Sequence, residues 1–124
     1  MQTLVLILVL LIALEHLGFL ILEMFLWTKV LGRKMFSRTK DEAQKTKVLA
    51  ANLGLYNGFL AAGLVWGMFH TNIEFSKEII IAFLIMISIA GIYGGLSAKK
   101  SIFFIQGLPA LITLGLIMLM QYHH

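Results

Sequence analysis

The chain has 124 residues, of which 60% are hydrophobic and only 13% are charged. This is more apolar surface than a soluble domain of this size can bury, so a lipid bilayer is the expected environment. The chain contains no cysteine, which excludes disulfides, thiolate metal sites and cysteine nucleophiles. The net charge of +4 does not indicate a nucleic-acid partner, because the basic residues cluster at helix ends and in one loop, where lipid head groups are the natural counter-charge.

Four stretches are apolar enough to cross a membrane, which takes about 20 mostly apolar residues. Thr39 and Glu42 form a capping box, so the second helix is expected to begin near Lys40, ahead of its apolar part. The predicted helices cover about residues 3–27, 40–70, 78–96 and 102–121. Because the connections are short, we predict an all-α integral membrane protein of one domain, residues 1–124, with four antiparallel transmembrane helices in an up-down bundle.

The first helix carries ionisable side chains into its apolar stretch at Glu15, His16 and Glu23. A carboxylate near the centre of a bilayer costs roughly 2.5–3.5 kcal/mol, so such residues usually face a protein interior or a water-filled cavity. His16 and Glu23 are seven residues apart and share one helix face. An ion pair with His16 is the structural alternative for one glutamate. A divalent metal held by Glu23 and His16 is a minor alternative, since no paired Glu-x-x-His motif is present.

The basic residues indicate how the chain is oriented in the membrane. Nine of the ten lie in the first and third loops, which share a side in a four-helix topology: Lys29, Arg33, Lys34, Arg38, Lys40, Lys45, Lys47, Lys99 and Lys100. The positive-inside rule therefore predicts a multi-pass protein of the inner or plasma membrane, with these loops in the cytoplasm and both termini outside. Trp27, at the end of the first helix, is interpreted as an interfacial anchor, and Asp41 is expected to pair with Lys45.

The other helices also carry polar side chains: Asn52, Tyr56 and Asn57 in the second, Tyr93 in the third and Gln106 in the fourth. At about 1.5 Å of rise per residue, one residue from each helix reaches a common level: Glu23, Asn52, Tyr93 and Gln106. Since polar groups in lipid must find partners, we predict a polar pocket inside the bundle, open to the cytoplasm, with Glu15 and His16 at its deep end. Pro109 supports this prediction, because it frees the carbonyl of Ile105 beside Gln106.

These polar residues also have structural interpretations. Amide side chains between transmembrane helices often form interhelical hydrogen bonds, worth about 0.6 kcal/mol each on average, and tyrosines pack with a single hydrogen bond. Three glycine pairs at i, i+4 indicate close helix packing or, as the alternative, a homodimer interface: Gly54 with Gly58, Gly63 with Gly67, and Gly91 with Gly95. His123 and His124 resemble the remnant of an expression tag and are left out of the site.

Three blocks of the sequence resemble one protein family. They are residues 13–27 (ALEHLGFLILEMFLW), 47–67 (KVLAANLGLYNGFLAAGLVWG) and 90–111 (AGIYGGLSAKKSIFFIQGLPAL). The blocks resemble the bacterial and fungal membrane proteins grouped as domain of unknown function 1304, and the resemblance extends over essentially the whole chain. It implies a four-helix membrane protein. It assigns no activity, cofactor or catalytic residue, although the blocks contain every polar site residue named above.

Three functions are compatible with this sequence. The favoured one is binding or transport of a small molecule in the pocket, with proton coupling through Glu15 or Glu23 left open. The runner-up is a membrane enzyme acting on a lipid-borne substrate, with Glu23 and His16 as general acid and base. The third is a non-catalytic subunit or regulator. Replacing Glu23 by glutamine distinguishes them, because only the first two need its carboxylate, whereas the third predicts greater sensitivity at Gly58 or Gly95.

Overall fold

A computed structural model describes residues 2–122, so His123 and His124 lie outside the described residues. The fold is all-α, as predicted. The elements are α1 (Thr3–Met24), α2 (Val30–Met35), α3 (Lys40–Phe69), α4 (Ile73–Ser97), α5 (Lys100–Ile102), a π-helical turn (Phe103–Gly107) and α6 (Leu108–Tyr122). Four stretches are long and apolar enough to cross a membrane: Thr3–Met24, Lys40–Phe69, Ile73–Ser97 and Lys100–Gln121. The chain is therefore a multi-pass membrane protein with four candidate spans.

The chain divides into two compact units. The α2 unit is Leu14–Ala61, and the α4 unit comprises the beginning of α1, up to Ala13, together with the chain from Ala62 onward. The division falls within α1 and α3, so each of these helices contributes to both units.

In the α2 unit, the second half of α1 packs antiparallel to the first part of α3. A β-carbon added at Gly54 would lie 2.8 Å from the Cγ atom of Met24, and one at Gly58 would lie 2.5 Å from a methyl group of Leu20. From Gly54 to Gly58 the chain advances along α3, whereas the contacted residue changes from Met24 back to Leu20 on α1. The two helices are therefore antiparallel. The absence of side chains at both glycines allows this approach, as the i, i+4 spacing predicts.

The connection between α1 and α3 is fixed by an aromatic cluster. Trp27 is buried with Ala43 and Ala50 of α3, and Phe36 packs against this cluster. The indole nitrogen of Trp27 donates a hydrogen bond to the hydroxyl of Thr46 at 3.0 Å. Burial of an aromatic ring with its polar group satisfied is a strong anchor. Trp27 therefore fixes the loop to the start of α3, in addition to its predicted interfacial position.

The start of α3 follows the capping prediction. The hydroxyl of Thr39 accepts a hydrogen bond from the backbone N–H of Glu42 at 3.1 Å, and α3 begins at Lys40. Lys45 pairs with Asp41 at 3.0 Å, as expected from the i, i+4 spacing. Both predictions are confirmed.

In the α4 unit, α3 turns sharply into α4. The side chain of Asn72 caps α4 by accepting from the N–H of Phe75, and the hydroxyl of Ser76 donates to the carbonyl of Gly67 at 2.6 Å. This cap places the start of α4 at Ile73, ahead of the predicted residue 78. Along the pair, added β-carbons at Gly67 and Gly63 would meet Ile80 and Phe83 respectively, so α3 and α4 are antiparallel.

A close backbone approach in the α4 unit lies between α4 and the π-helical turn. A β-carbon added at Gly91 would collide with the backbone of Gly107, and one at Gly95 would meet Phe103 at 2.6 Å. These contacts again run antiparallel. The buried core of this unit is aliphatic and includes Leu64, Ile80, Leu84 and Ile87.

Candidate functional site

Glu23 lies one residue before the end of α1, with only 8% of its surface exposed. The amide nitrogen of Asn57 donates a hydrogen bond to the Oε1 atom of Glu23 at 2.6 Å. Gly54, one turn earlier on α3, makes this possible, because a β-carbon there would lie only 3.0 Å from that of Glu23. The two helices therefore approach closely enough for the short asparagine side chain to reach the carboxylate.

The Glu23 side chain lines an open groove of about 430 Å³, formed by the end of α1 and the first part of α3. Thr28, Lys47 and Asn52 supply its other polar side chains. Trp27, Val48 and Leu55 contribute to the apolar part of the lining. This Glu23 groove lies entirely within the α2 unit. It combines a buried carboxylate, an amide, a hydroxyl and an ammonium group with apolar walls, which is the usual composition of a small-molecule site.

Asn52 is exposed and lines the groove beside Glu23. Its amide nitrogen donates to the carbonyl of Val48, one turn earlier on the same helix, at 2.9 Å. Glu23 and Asn52 line the same groove, whereas the direct hydrogen bond to the carboxylate comes from Asn57.

His16 is fully buried, and its Nδ1 atom lies 3.9 Å from the carboxylate of Glu15. This separation is too long for a hydrogen bond. The ring of His16 packs edge-on against Phe19, with centroids 5.4 Å apart. The Oε1 atom of Glu15 is buried with no hydrogen-bond partner among residues 2–122. Glu15 and His16 therefore form a pair deeper along α1, outside the set of residues that line the Glu23 groove.

The remaining predicted residues are distributed over the chain. Tyr56 is 61% exposed and contacts Phe59 edge-on, and Tyr93 is 72% exposed on α4. Gln106 is partly buried within the π-helical turn. Tyr93 and Gln106 belong to the α4 unit, whereas Glu23 belongs to the α2 unit. The convergence of four helices on one pocket therefore stays a prediction.

Pro109 lies just beyond the π-helical turn. The N–H of Leu108 donates to the carbonyl of Phe103, five residues earlier, so the helix carries one extra residue per turn here. The carbonyl of Pro109 itself accepts from the hydroxyl of Thr113 at 2.8 Å. The helix around Gln106 thus takes the form of a π turn, and the freed carbonyl of Ile105 stays a prediction.

Two polar lining residues, Thr28 and Lys47, were not predicted as site residues from the sequence, and neither were the apolar ones; Trp27 was assigned only to the interface. Their signal was weak, because a lysine and a tryptophan at the end of a transmembrane helix are ordinary interfacial residues. Among the described residues, no three histidine, aspartate or glutamate side chains come together to hold a metal ion. The metal alternative therefore gains no support from this geometry.

Comparison with known proteins identifies the family of the chain. Residues 10–118 match the family model described as "Protein of unknown function (DUF1304)". The chain is 34% identical over 116 residues to "Uncharacterized protein YpaA" from Lactococcus lactis subsp. lactis (strain IL1403), which covers 92% of this chain and 96% of that protein. No solved structure matches. The resemblance carried by the three sequence blocks is confirmed, and the chain belongs to the DUF1304 family of proteins of unknown function.

Proposed function

We propose that this protein binds a small molecule in the Glu23 groove, as a carrier or binding protein of the membrane. The observation that carries this proposal is the buried carboxylate of Glu23, held by Asn57 and lining a groove of about 430 Å³. A carboxylate is an expensive residue to insert into an apolar helix, so its presence requires compensation. One asparagine hydrogen bond compensates only part of that cost.

The hydrogen-bonding capacity of Glu23 supports a ligand role. An ionised carboxylate has about four acceptor positions, and the amide of Asn57 occupies one of them. Glu23 lines a groove that also contains Asn52 and Thr28, where a ligand can use the remaining acceptor positions. A ligand with a hydrogen-bond donor or a positive charge would complete the coordination of the carboxylate. If residue 23 had only a packing role, glutamine would fill the position as well as glutamate.

The orientation prediction places this groove at the cytoplasmic end of α1 and α3. The basic residues of the first loop flank it, and Lys47 lies within it. Under the positive-inside rule this end faces the cytoplasm. We therefore propose that the ligand enters from the cytoplasmic side.

Thermal unfolding of the purified full chain, with a panel of amines, cations and metabolites, tests the binding role. A ligand present at 100 times its dissociation constant stabilises the folded protein by about 2.7 kcal/mol. Glu23→Gln is expected to fold and to lose this stabilisation. Glu74→Gln, the same change at an exposed glutamate in the first turn of α4, should keep it.

Two outcomes would contradict the proposal. One is equal ligand stabilisation of the wild type and Glu23→Gln. The other is a combination of three results. No compound of the panel stabilises the protein, Glu23→Gln unfolds at the same temperature as the wild type, and bulky residues at Gly58 or Gly95 strongly lower that temperature. That second pattern would identify helix packing as the role of these segments.

A further inference from the structure

The Glu23 groove contains two side chains of opposite charge that do not pair with each other. Glu23 is buried near the end of α1, whereas Lys47 is exposed on α3, and both line the groove. Within residues 2–122, the pairs at ion-pair distance are His16 with Glu15, Arg38 with Glu42, and Lys45 with Asp41. A groove with separated charges of both signs is complementary to a ligand that carries both charges in the reverse order.

The positions of the two charges fix the order of the ligand groups. Glu23 lies beside Gly54 of α3, and Lys47 precedes Gly54 by seven residues, or about 10 Å of helix. The long, flexible lysine side chain can shorten this distance. A bound molecule would therefore place its cationic group inward, against the buried carboxylate. Its anionic group would lie toward the exposed end of the groove, against the ammonium of Lys47.

Apart from Thr28 and Asn52, the rest of the lining is apolar and partly open. Val48 is 70% exposed and Leu55 is 42% exposed, although both line the groove. Both residues belong to a helix that is a candidate membrane span. These surfaces can be covered by the apolar part of a ligand, so the groove matches an amphiphile better than a fully polar molecule.

We propose that the ligand of the Glu23 groove is a zwitterionic amphiphile. Its protonated amine lies against Glu23, and its phosphate or carboxylate lies against Lys47. The apolar part covers Val48 and Leu55. This proposal rests on the function proposed above and adds the chemical class of the ligand. A membrane phospholipid with an ethanolamine head group has this chemistry, and so does a soluble amino-alkyl phosphate.

Binding to the purified full chain in detergent micelles, followed by native mass spectrometry, tests each charge separately. Short-chain phosphatidylethanolamine and phosphatidylglycerol of equal chain length differ in the amine. Phosphatidylethanolamine and an alkylamine of equal chain length differ in the phosphate and also in the glycerol backbone and the second chain, so the contribution of the phosphate is read from the effect of Lys47→Met on this comparison. Charge-assisted hydrogen bonds contribute enough for the wild type to prefer phosphatidylethanolamine at least about tenfold in both comparisons.

The two charged residues should control different comparisons. Glu23→Gln is expected to abolish the preference over phosphatidylglycerol, and Glu23→Asp to retain most of it. Lys47→Met is expected to abolish the preference over the alkylamine. Lys47 is exposed, so this variant remains informative even where a change at Glu23 impairs folding. Lys40→Met, an exposed lysine of the same helix that is not part of the lining, is the matched control and should change neither comparison.

A third probe separates the two sources of this chemistry. O-phosphoethanolamine has no apolar part, so binding as tight as that of the phospholipid would identify a small soluble zwitterion as the ligand and overturn the amphiphilic part of the proposal. Equal affinity of the wild type for all the lipid probes, or a preference that survives Glu23→Gln, overturns the zwitterion proposal. If other compounds of the panel still stabilise the protein through Glu23, the binding function stands. If no compound does, both proposals fall.

Discussion

At the scale of single residues, Glu23 shows how well the sequence predicts which polar residues of neighbouring helices lie at the same level. Counting residues placed Asn52, rather than Asn57, at the level of Glu23. The hydrogen bond comes from Asn57, because Gly54 brings α3 against Glu23 and the asparagine side chain one turn later then reaches the carboxylate. The polar residue types were therefore predictable, whereas their pairing depends on where along their length the two helices approach closely.

The Glu23–Asn57 hydrogen bond predicts a charge-exchange rescue. Asn57→Asp would place a second carboxylate at hydrogen-bond distance from Glu23 and should lower the free energy of unfolding by about 1–3 kcal/mol. Glu23→Gln combined with Asn57→Asp restores one amide and one carboxylate with their positions exchanged. The double variant should therefore recover at least half of that loss.

A double-mutant cycle of reversible unfolding in mixed micelles measures this coupling. Asp41→Asn combined with Asn57→Asp is the matched control, because Asp41 is exposed at the start of α3. Additive effects of the two changes at residues 23 and 57 would show that the side chains do not interact in the membrane.

At the scale of the helices, the glycine pairs were the most informative sequence signal. All three i, i+4 pairs lie at close helix contacts, so their interpretation as packing positions is confirmed. The alternative of a homodimer interface stays a prediction. The π-helical turn was less predictable, because Pro109 indicates an interrupted helix without specifying its form. Gly107, the last residue of this turn, lies against the backbone of Gly91 in α4.

This crossing predicts a sharp difference between two glycines. Gly91→Ala should lower the free energy of unfolding by about 1–3 kcal/mol, because the added methyl group meets the backbone of Gly107, which cannot rotate away. Gly115→Ala is the matched control, since nothing lies within 4 Å of its added β-carbon. It should change the stability by no more than about 0.5 kcal/mol. Equal unfolding midpoints for the two variants would contradict the close crossing.

At the scale of the whole molecule, composition alone was enough to predict a membrane protein. Only 22–28% of the residues in the most apolar window of each span are buried within the protein, so most of these side chains need an apolar environment outside it. The 30 residues of α3 extend about 45 Å, which exceeds the roughly 30 Å of the bilayer core. The excess lies at its polar first turns, which include the Lys45–Asp41 ion pair. Sequence patterns predict this architecture well, because the bilayer sets the length of each spanning helix and requires its side chains to be apolar.

The predicted orientation gives a test that uses the absence of native cysteine. Single cysteines at three exposed positions report the three loops: Gln44→Cys for the first, Thr71→Cys for the second and Ser101→Cys for the third. Because nine of ten basic residues flank the first and third loops, we expect a membrane-impermeant maleimide to label intact cells only at position 71. Positions 44 and 101 should react once the membrane is permeabilised. Equal labelling of all three positions in intact cells would indicate mixed orientation. Labelling at positions 44 and 101 alone would indicate the opposite orientation, with the first and third loops outside. Either pattern would leave the Glu23–Asn57 contact in place but would contradict entry of the ligand from the cytoplasm.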